Sequence, residues 1–197
     1  NYALLQVPEG ILIPKKKPVN SYKFNFWTPI YNSRFTKQFF ERNYKEVQKG
    51  IVLYPTITTP TKKLATKEKI ILSVGRFYEH LHSKRQDVLI QAFIDAQKRN
   101  VVFKDYKLIL AGAYKEPDGK NYLQKLKKLI GNNTAIELHL NINTDELTDL
   151  YGRAQFYWHA TGYDSNIEKE PEKAEHFGIS IVEAMSFGTI PIAYAAG

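Results

Sequence analysis

The sequence contains no cysteine in its 197 residues. This absence excludes disulfide bridges and metal sites built on thiolates, while it says little about the cellular compartment. Long apolar runs are absent too, since none approaches the roughly 20 residues that a membrane-spanning helix needs. The first residues lack the charged region, apolar stretch and small-residue cleavage site of a secretory leader. These absences predict a cytoplasmic protein.

Several short motifs of nucleotide-dependent and hydrolytic enzymes are also missing. Residues 111–113, Ala-Gly-Ala, offer one glycine where a dinucleotide fingerprint needs three, and the sequence has neither a P-loop nor a Gly-x-Ser-x-Gly elbow. Glu79, His80 and His82 lack a third histidine or a helical pair at i and i+4, and no Asp-x-Asp pair is present. The sequence therefore predicts no metal site.

The composition is that of a folded domain with a basic surface. Hydrophobic residues make up 43% of the chain, enough for one good core, or for one domain with part of another. The formal net charge of +8 suits an anionic partner such as a nucleotide diphosphate, an anionic membrane surface or nucleic acid. The run Lys15-Lys16-Lys17 is typical of a solvated segment, with peripheral contact to an anionic membrane as the alternative.

Strand-like apolar runs alternate with amphipathic helical windows in the larger part of the chain. The spacing of apolar residues predicts helices over 86–99, 121–130 and 145–153, the last with Thr144 as its N-cap. Short apolar runs predict strands over 69–74, 107–111, 136–140, 155–159 and 190–194. This alternation predicts an α/β fold with a Rossmann-like parallel sheet and helices on both faces. In such sheets, ligands bind beyond the carboxyl ends of the strands.

The first part of the chain has a different character. Strands are predicted at 10–14 and 51–54, and a helix is predicted to begin near Asn32 and Ser33. Three apolar side chains of this helix should face inward: Phe35, Phe39 and Val47. Two strands and one helix are too little for an independent α/β domain.

These contrasts predict a division of the chain into three parts. Residues 1–58 are expected to be the remnant of an N-terminal domain, and the Pro- and Thr-rich stretch 59–68 is expected to be a linker. Residues 69–197 are expected to form the α/β domain.

Two glutamates enclose a glycine turn near the end of the sequence. Glu175 and Glu183 are separated by seven residues, and a helix is expected to follow the turn at Gly178. One carboxylate then precedes the turn and the other lies about two turns into the helix, so that both can face a ligand at the helix N-terminus. Free N–H groups and the positive end of the helix dipole make such a terminus a ready phosphate site.

A second motif combines a strand, a glycine turn and two cations. The run 73–77, Ser-Val-Gly-Arg-Phe, is followed by 83–87, Ser-Lys-Arg-Gln-Asp. Gly75 would let the backbone approach a ligand closely. Arg76 offers a planar fork and Lys84 a point charge for the oxygens of a diphosphate.

The two motifs together resemble those of retaining glycosyltransferases with two Rossmann domains, the GT-B fold, and specifically family 4, also called glycosyl transferases group 1. The resemblance depends on the two glutamates at this spacing, on residues 177–179 between them, and on Gly188 followed by Pro191. The resemblance covers roughly 32–197 and implies a fragment of such an enzyme. The fragment would contain the C-terminal, donor-binding half, truncated at its C-terminus, and a remnant of the acceptor-side domain. It is expected to be inactive alone.

The resemblance also implies an activity. Such enzymes transfer a sugar from a nucleotide diphosphate sugar to a sugar, lipid or protein acceptor, retain the configuration at the transferred carbon, and serve polysaccharide, glycolipid or glycoconjugate synthesis. It implies neither a metal nor any other cofactor, because cations of the protein and a helix terminus hold the diphosphate. The base, the sugar, the acceptor and the linkage are not indicated.

Residue roles follow from the matched positions. The resemblance assigns Arg76 and Lys84 to the departing diphosphate, where negative charge accumulates, and Glu175 to hydroxyl groups of the transferred sugar. It assigns Glu183 to the ribose hydroxyls and His159 to the sugar pocket. The remaining donor-binding positions act through the backbone: Gly75, Phe177, Gly178 and Ile179. One departure from the family pattern is the bulky stretch 78–82, where relatives often have glycine.

Three alternatives remain open. The first is another GT-B enzyme, a phosphorylase or a nucleotide-sugar epimerase. The second is a nucleotide-sugar-binding module without catalysis. The third is a basic nucleic-acid-binding module, which the sequence disfavours because its aromatic residues fall mainly on apolar stripes and are not interleaved with lysine and arginine on one surface.

Overall fold

The computed structural model describes residues 2–8, 26–44, 49–57, 59, 66–79, 82–117 and 119–197. Two compact units are present. The first comprises Asn1–Thr56, Asp164–Gly178 and Ala196–Gly197, and the second comprises Ile57–Tyr163 and Ile179–Ala195. The first boundary lies close to the predicted linker, whereas the segment 164–178 joins the first unit. The three-part division of the chain stays a prediction.

The first unit contains a small parallel sheet and a helix. Its strands β1 (Tyr2–Leu5), β2 (Thr28–Tyr31) and β3 (Ile51–Val52) lie in the order β1-β2-β3. Helix α1 (Arg34–Asn43) begins at Ser33, whose hydroxyl oxygen accepts a hydrogen bond from the N–H of Thr36 at 3.0 Å. This is the predicted helix start. Phe39 is buried and Phe35 half-buried, whereas Val47 and the predicted strand 10–14 lie outside the described residues.

The second unit is built on a parallel sheet. Its strands are β4 (Glu68–Val74), β5 (Lys107–Gly112), β6 (Ile136–Leu140), β7 (Ala154–His159) and β8 (Ile190–Ala193). They lie in the order β6-β5-β4-β7-β8, and every neighbouring pair is parallel. The predicted parallel α/β sheet is therefore confirmed.

Helices cover both faces of this sheet. They are α2 (Gln86–Arg99), α3 (Lys120–Ile130), α4 (Thr144–Arg153) and α5 (Ile179–Ser186). On one face, Ile71 belongs to a buried cluster with Leu89 of α2. On the other face, its neighbour Leu72 belongs to a cluster with Leu150 of α4 and Ala184 of α5. Successive strand residues point to opposite faces, which is why an unbroken apolar run forms a strand covered on both sides. Within the described ranges, no helix has the length and apolar character needed to span a bilayer.

The N-cap of α4 differs from the predicted one by one residue. Asn143, not Thr144, occupies the cap: its side-chain oxygen accepts from the N–H of Glu146 at 2.9 Å. The carboxylate of Glu146 accepts in turn from the N–H of Asn143 at 3.1 Å. This reciprocal pair is a capping box, and it satisfies two N–H groups that the first turn of a helix otherwise leaves unbonded.

The order of the strands determines where a ligand can bind. From the central strand β4 the chain first continues to β5 and β6 on one side, and later to β7 and β8 on the other. At such a reversal the connections leave the sheet in opposite directions, and a crevice opens beyond the carboxyl ends of the central strands. The segment after β4, which begins at Gly75, lies at this crevice.

Candidate functional site

The glycine turn continues the ladder of hydrogen bonds beyond the end of β4. The N–H groups of Gly75 and Phe77 donate to the carbonyl oxygens of Ala111 and Ala113, both at 2.9 Å. A β-carbon on Gly75 would lie 2.4 Å from Cγ of Lys84, so the lysine side chain crosses directly over the glycine. The structure thus brings together two residues that the sequence assigns to one site.

Gly112 supports the same turn from the neighbouring strand. Its φ angle is +154°, and a β-carbon there would lie 2.1 Å from the carbonyl oxygen of Gly75. The obstacle is backbone and cannot rotate away. Glycine at 112 is therefore required for β5 to approach the turn this closely.

A buried amide fixes the carbonyl groups of the turn. Nε2 of Gln86 lies 3.1 Å from the carbonyl oxygen of Arg76 and 3.4 Å from that of Gly75, and can donate one hydrogen to each. The hydroxyl of Tyr122 donates to Oε1 of Gln86 at 3.1 Å. This role was not predicted from the sequence, although glutamine at the first position of a predicted helix, directly after two cations, was a usable signal.

Arg76 lies on the surface, and its guanidinium carbon is 4.7 Å from the centre of the Tyr78 ring. Stacking of this kind holds the flat guanidinium in one orientation while its edges stay available for oxygen acceptors. Tyr78 belongs to the bulky stretch that departs from the family pattern. At this position, the bulk gives the arginine a platform. His80 and Leu81, within the same stretch, lie outside the described residues.

Arg85 connects the turn after β4 with the loop after β7. Its φ angle is +51°, its Nη1 donates to the carbonyl oxygen of Tyr163 at 2.6 Å, and its Nε donates to Asp87 at 3.2 Å. Burial alone would raise the pKa of Asp87. The hydrogen bond and charge of Arg85 outweigh that effect, with help from the charge of Lys125 and the N–H of Val88, and hold the pKa of the carboxyl below its usual range.

His159 occupies the last position of β7 and is buried. Its ring stacks on that of Tyr157 with the centroids 6.2 Å apart, and its carbonyl oxygen accepts from the N–H of Tyr194 at 2.9 Å. The Tyr194 ring meets the edge of the Tyr163 ring at 5.3 Å. The segments that follow β7 and β8 are therefore joined to each other and, through Arg85, to the turn after β4.

Two buried tyrosines hold the polar side chains of α5. Tyr157 donates to the hydroxyl oxygen of Ser180 at 2.7 Å, and Tyr151 donates to Oε2 of Glu183 at 3.0 Å. Burial first, then the nearby Tyr157 and Glu183, raise the pKa of Tyr151, so it stays protonated and remains a donor. The sequence alone indicated only that aromatic residues fall mainly on apolar stripes. Buried hydroxyl groups need partners, and that requirement is the signal that was not used.

Glu175, Phe177 and Gly178 belong to the first unit. The carboxylate of Glu175 accepts from the N–H of Gly178 at 3.1 Å, and its own N–H donates to the carbonyl oxygen of Ala196 at 2.9 Å. The Phe177 ring stacks on Tyr54 at 5.8 Å. The ligand-facing role of the Gly178 N–H stays a prediction, since a phosphate or sugar would have to replace its bond to Glu175.

Six of the nine predicted site residues belong to the second unit, and their roles toward a ligand stay predictions. The Lys84 side chain crosses the turn that contains Gly75 and Arg76. His159 is linked to Glu183 through Tyr157, whose ring lies 6.2 Å from that of Tyr151. Ile179, the first residue of α5, is exposed. In the described part of the chain, no group of three histidine, aspartate or glutamate side chains could hold a metal ion.

Curated relatives share sequence with most of the chain. The alpha-1,3/1,6-mannosyltransferase ALG2 of Rhizomucor pusillus is 28% identical over 189 residues, which are 82% of this chain and 41% of that protein. The human GDP-Man:Man(3)GlcNAc(2)-PP-Dol alpha-1,2-mannosyltransferase is 28% identical over 158 residues, 74% of this chain and 29% of that protein. The chain therefore spans less than half the length of these relatives.

Solved structures share the fold at low sequence identity. A UDP-forming alpha,alpha-trehalose-phosphate synthase from Burkholderia vietnamiensis matches with a TM-score of 0.70 and 9% identity, covering 100% of this chain and 54% of that one. Anabaena Alr3699/HepE, in complex with UDP and glucose, matches with a TM-score of 0.64 and 20% identity, covering 98% and 53%.

The family described as glycosyl transferases group 1 matches residues 57–197, a span that includes the whole sheet of the second unit and both motifs. The chain belongs to the glycosyl transferases group 1 family, whose fold is GT-B.

Proposed function

We propose that this chain is the donor-binding part of a retaining glycosyltransferase, which transfers a sugar from a nucleotide diphosphate sugar to an acceptor. The observation that carries the proposal is the turn at the carboxyl end of the central strand, where the Lys84 side chain crosses Gly75 and Arg76 follows directly in the sequence, in a chain of this family. The two cations suit a diphosphate in complementary ways, because the guanidinium binds two oxygens at once and the ammonium acts as a compact charge.

Charge on the diphosphate is also the basis of the proposed catalysis. As the bond between the sugar and the distal phosphate breaks, negative charge accumulates on that phosphate. Cations already fixed there stabilise the transition state more than the bound donor, and this difference lowers the barrier. Gln86 contributes by fixing the Gly75 and Arg76 carbonyls, which keeps the backbone of the turn in place. The proposed reaction needs no divalent cation and no other cofactor.

The remaining residues are assigned to the nucleoside and the sugar. Glu183, oriented by Tyr151, would accept hydrogen bonds from the ribose hydroxyl groups. The roles of Glu175 toward hydroxyl groups of the transferred sugar, and of His159 toward a sugar pocket, are carried over from the family resemblance.

We take GDP-mannose as the first candidate donor and a lipid-linked glycan as the first candidate acceptor. Support comes from the curated relatives, which are named as mannosyltransferases and, in the human and mouse proteins, for GDP-Man and a PP-Dol-linked acceptor. The Anabaena neighbour was solved with UDP and glucose, so UDP is the competing nucleotide. A cytoplasmic location stays a prediction.

A thermal-shift and calorimetry series on this chain tests the proposal. GDP, UDP and ADP, each with and without its sugar, are titrated with and without EDTA. One nucleoside diphosphate should raise the melting temperature, because a ligand of the native state stabilises it by mass action. EDTA should leave its affinity unchanged. The absence of binding by every nucleotide would refute the proposed site, and loss of binding in EDTA would refute the metal-independent phosphate site.

A further inference from the structure

An exposed turn with aliphatic and cationic side chains lies at the amino end of the sheet in the second unit, opposite the turn at Gly75. After α2 the chain forms a short 3-10 helix, Val101–Asp105, before it enters β5. Val101 is 72% exposed and Val102 is 55% exposed. We call residues 98–104 the valine turn.

A hydrogen bond and two aromatic contacts hold the valine turn in place. The side-chain oxygen of Asn100 accepts from the N–H of Val102 at 3.0 Å. The half-buried Phe103 ring packs 5.8 Å from the ring of Tyr106 and 6.3 Å from that of Trp158. These contacts turn the aromatic ring of the segment inward and leave both valine side chains facing solvent.

Cations surround the two valines. Lys98, Arg99 and Lys104 are all exposed and lie within the same seven residues. Among the described residues Lys98 has one weak ion pair, 3.8 Å from Asp95, and no ion pair is found for Arg99 or Lys104. The turn therefore presents positive charge that the fold leaves largely uncompensated.

An open cavity of about 550 Å³ lies beside the turn. Lys98 and Lys104 line it together with Ile94, Gln97 and Asn133. The Asn133 side chain donates to that of Gln97 at 2.9 Å. The cavity therefore has one aliphatic and two amide groups and carries two ammonium groups at its walls, a setting that suits an anionic headgroup.

The last turn of α3 adds to the positive charge. Helices that link parallel strands run antiparallel to them, so the C-terminal ends of α2 and α3 lie at the same end of the sheet. The last turn of α3 carries Lys127 and Lys128, both exposed. Basic residues at helix C-termini also stabilise the helix dipole, which explains Lys98 and Arg99. That effect explains neither Lys104, which lies beyond the helix, nor the exposed valines.

We propose that the valine turn docks on an anionic phospholipid bilayer. Each lysine or arginine near an anionic membrane adds attraction, and short aliphatic side chains can enter the boundary between headgroups and acyl chains. Two valines are far too small for the core of a stable protein interface, which needs about 800 Å² from each partner. A single-stranded nucleic acid would be expected to stack on exposed aromatic rings, whereas the ring of Phe103 packs inward.

The position of this surface makes it independent of the nucleotide site. The valine turn precedes β5 and lies at the amino end of the sheet, whereas the turn at Gly75 lies at the carboxyl end. We therefore expect that the chain can bind a membrane and a nucleotide at the same time. Loss of membrane binding should leave nucleotide binding unchanged, and the reverse should also hold.

A labelling experiment tests the proposal directly, because the chain contains no cysteine. Val102→Cys carries an environment-sensitive dye such as NBD, and Thr148→Cys, exposed on α4 over the opposite face of the sheet, is the matched control. Vesicles of phosphatidylcholine with phosphatidylserine should shift the emission of the dye at 102 to the blue and leave that at 148 unchanged. Vesicles of phosphatidylcholine alone should shift neither.

Charge variants identify the surface. In flotation assays with the anionic vesicles, the double variant Lys98→Gln/Lys104→Gln should bind roughly tenfold more weakly or worse. The control Lys120→Gln/Lys169→Gln removes the same charge elsewhere and should bind nearly as well as the parent chain. Equal losses of vesicle binding in the two double variants would show that binding depends only on net charge, and this result would overturn the proposal. It would also be overturned if the dye at 102 showed no shift on anionic vesicles, as expected for a protein-binding or merely solvated turn.

Discussion

The hydroxyl group of Tyr151 lies 3.0 Å from Oε2 of Glu183 and donates a hydrogen bond to it. The tyrosine is buried in the last turn of α4, and the glutamate is half-buried on α5. The bond fixes one carboxylate oxygen and so sets the direction of the other. A fixed orientation of the carboxylate suits the proposed contact of Glu183 with the paired hydroxyl groups of a ribose.

This pairing predicts a graded loss of nucleoside affinity. Glu183→Ala should weaken a nucleoside and its diphosphate by the same factor, because the proposed partner is the ribose that both contain. Tyr151→Phe should cause a smaller loss, since the carboxylate remains but is less well oriented. In the double variant the effects should not add, which calorimetry can measure as a coupling energy. A purely additive result would show that Tyr151 acts only on packing.

Arg76 is predicted to bind the diphosphate. Arg76→Ala should weaken nucleoside diphosphate binding by roughly 1.5–3 kcal/mol, the scale of a charge-assisted hydrogen bond, which is about a ten- to hundredfold rise in Kd. Binding of the nucleoside without phosphates should not change. Arg99→Ala removes an arginine at the opposite end of the sheet and serves as the control. A comparable loss in both variants would mean that the arginines act only through net charge.

Gln86 is predicted to be a positioning residue for the phosphate turn. Gln86→Leu leaves two carbonyl groups and the hydroxyl of Tyr122 without this partner, and should lower the free energy of unfolding by about 1–3 kcal/mol. If the amide also positions the turn, the folded variant should lose affinity for the diphosphate and keep its affinity for the nucleoside. Tyr122→Phe removes the hydroxyl that bonds to Gln86 and to the N–H of Asp87 but leaves both bonds from Gln86 to the turn, so its effect on diphosphate affinity should be milder. Equal affinities in the variant and the parent chain would limit Gln86 to a role in stability.

Acid should lower the free energy of unfolding by protonating Asp87. Its pKa is lowered in the folded state, so the folded chain binds fewer protons than the unfolded chain in acid. The stabilisation by its charge is fully present above the unfolded pKa of about 3.9 and is lost as the pH falls through the folded pKa. Denaturant titrations at several pH values should therefore show that Asp87→Asn has a lower free energy of unfolding than the parent chain. This deficit should be constant near neutrality and shrink below about pH 4. A deficit that grows with acid would contradict the assigned direction.

Much of the second unit could be predicted from the spacing of apolar residues. The helix at 86–99 and the strand at 136–140 have the predicted bounds, because both patterns are long and regular enough to identify one structure. The strands Tyr2–Leu5 and Thr28–Tyr31 were missed, since each has only four residues and the first is largely exposed. The association of 164–178 with the first unit depends on contacts with residues distant in sequence, which a local pattern does not contain.

The candidate site, too, was predictable only where its residues lie close together in the sequence. Gly75 and Lys84 could be placed together because a glycine turn and a cation nine positions later flank the start of one helix. The support of Glu183 by Tyr151 could not, since 32 residues separate them and only the packing of α5 against α4 makes them neighbours. Local motifs predict the groups that would touch a ligand, whereas the groups that orient them are determined by the fold.

Glu175 is predicted to distinguish ligands that carry the sugar from those that do not. Its carboxylate accepts from the N–H of Gly178, and Glu175→Gln retains an oxygen that can do the same. Binding of GDP or UDP should be nearly unchanged in Glu175→Ala and Glu175→Gln, because the proposed contacts lie beyond the phosphates. The nucleotide sugar should bind more weakly to both, and more so to the alanine variant, which loses the turn contact as well. Calorimetry with each nucleotide and its sugar measures the difference, and equal losses for both ligands would refute the assigned role.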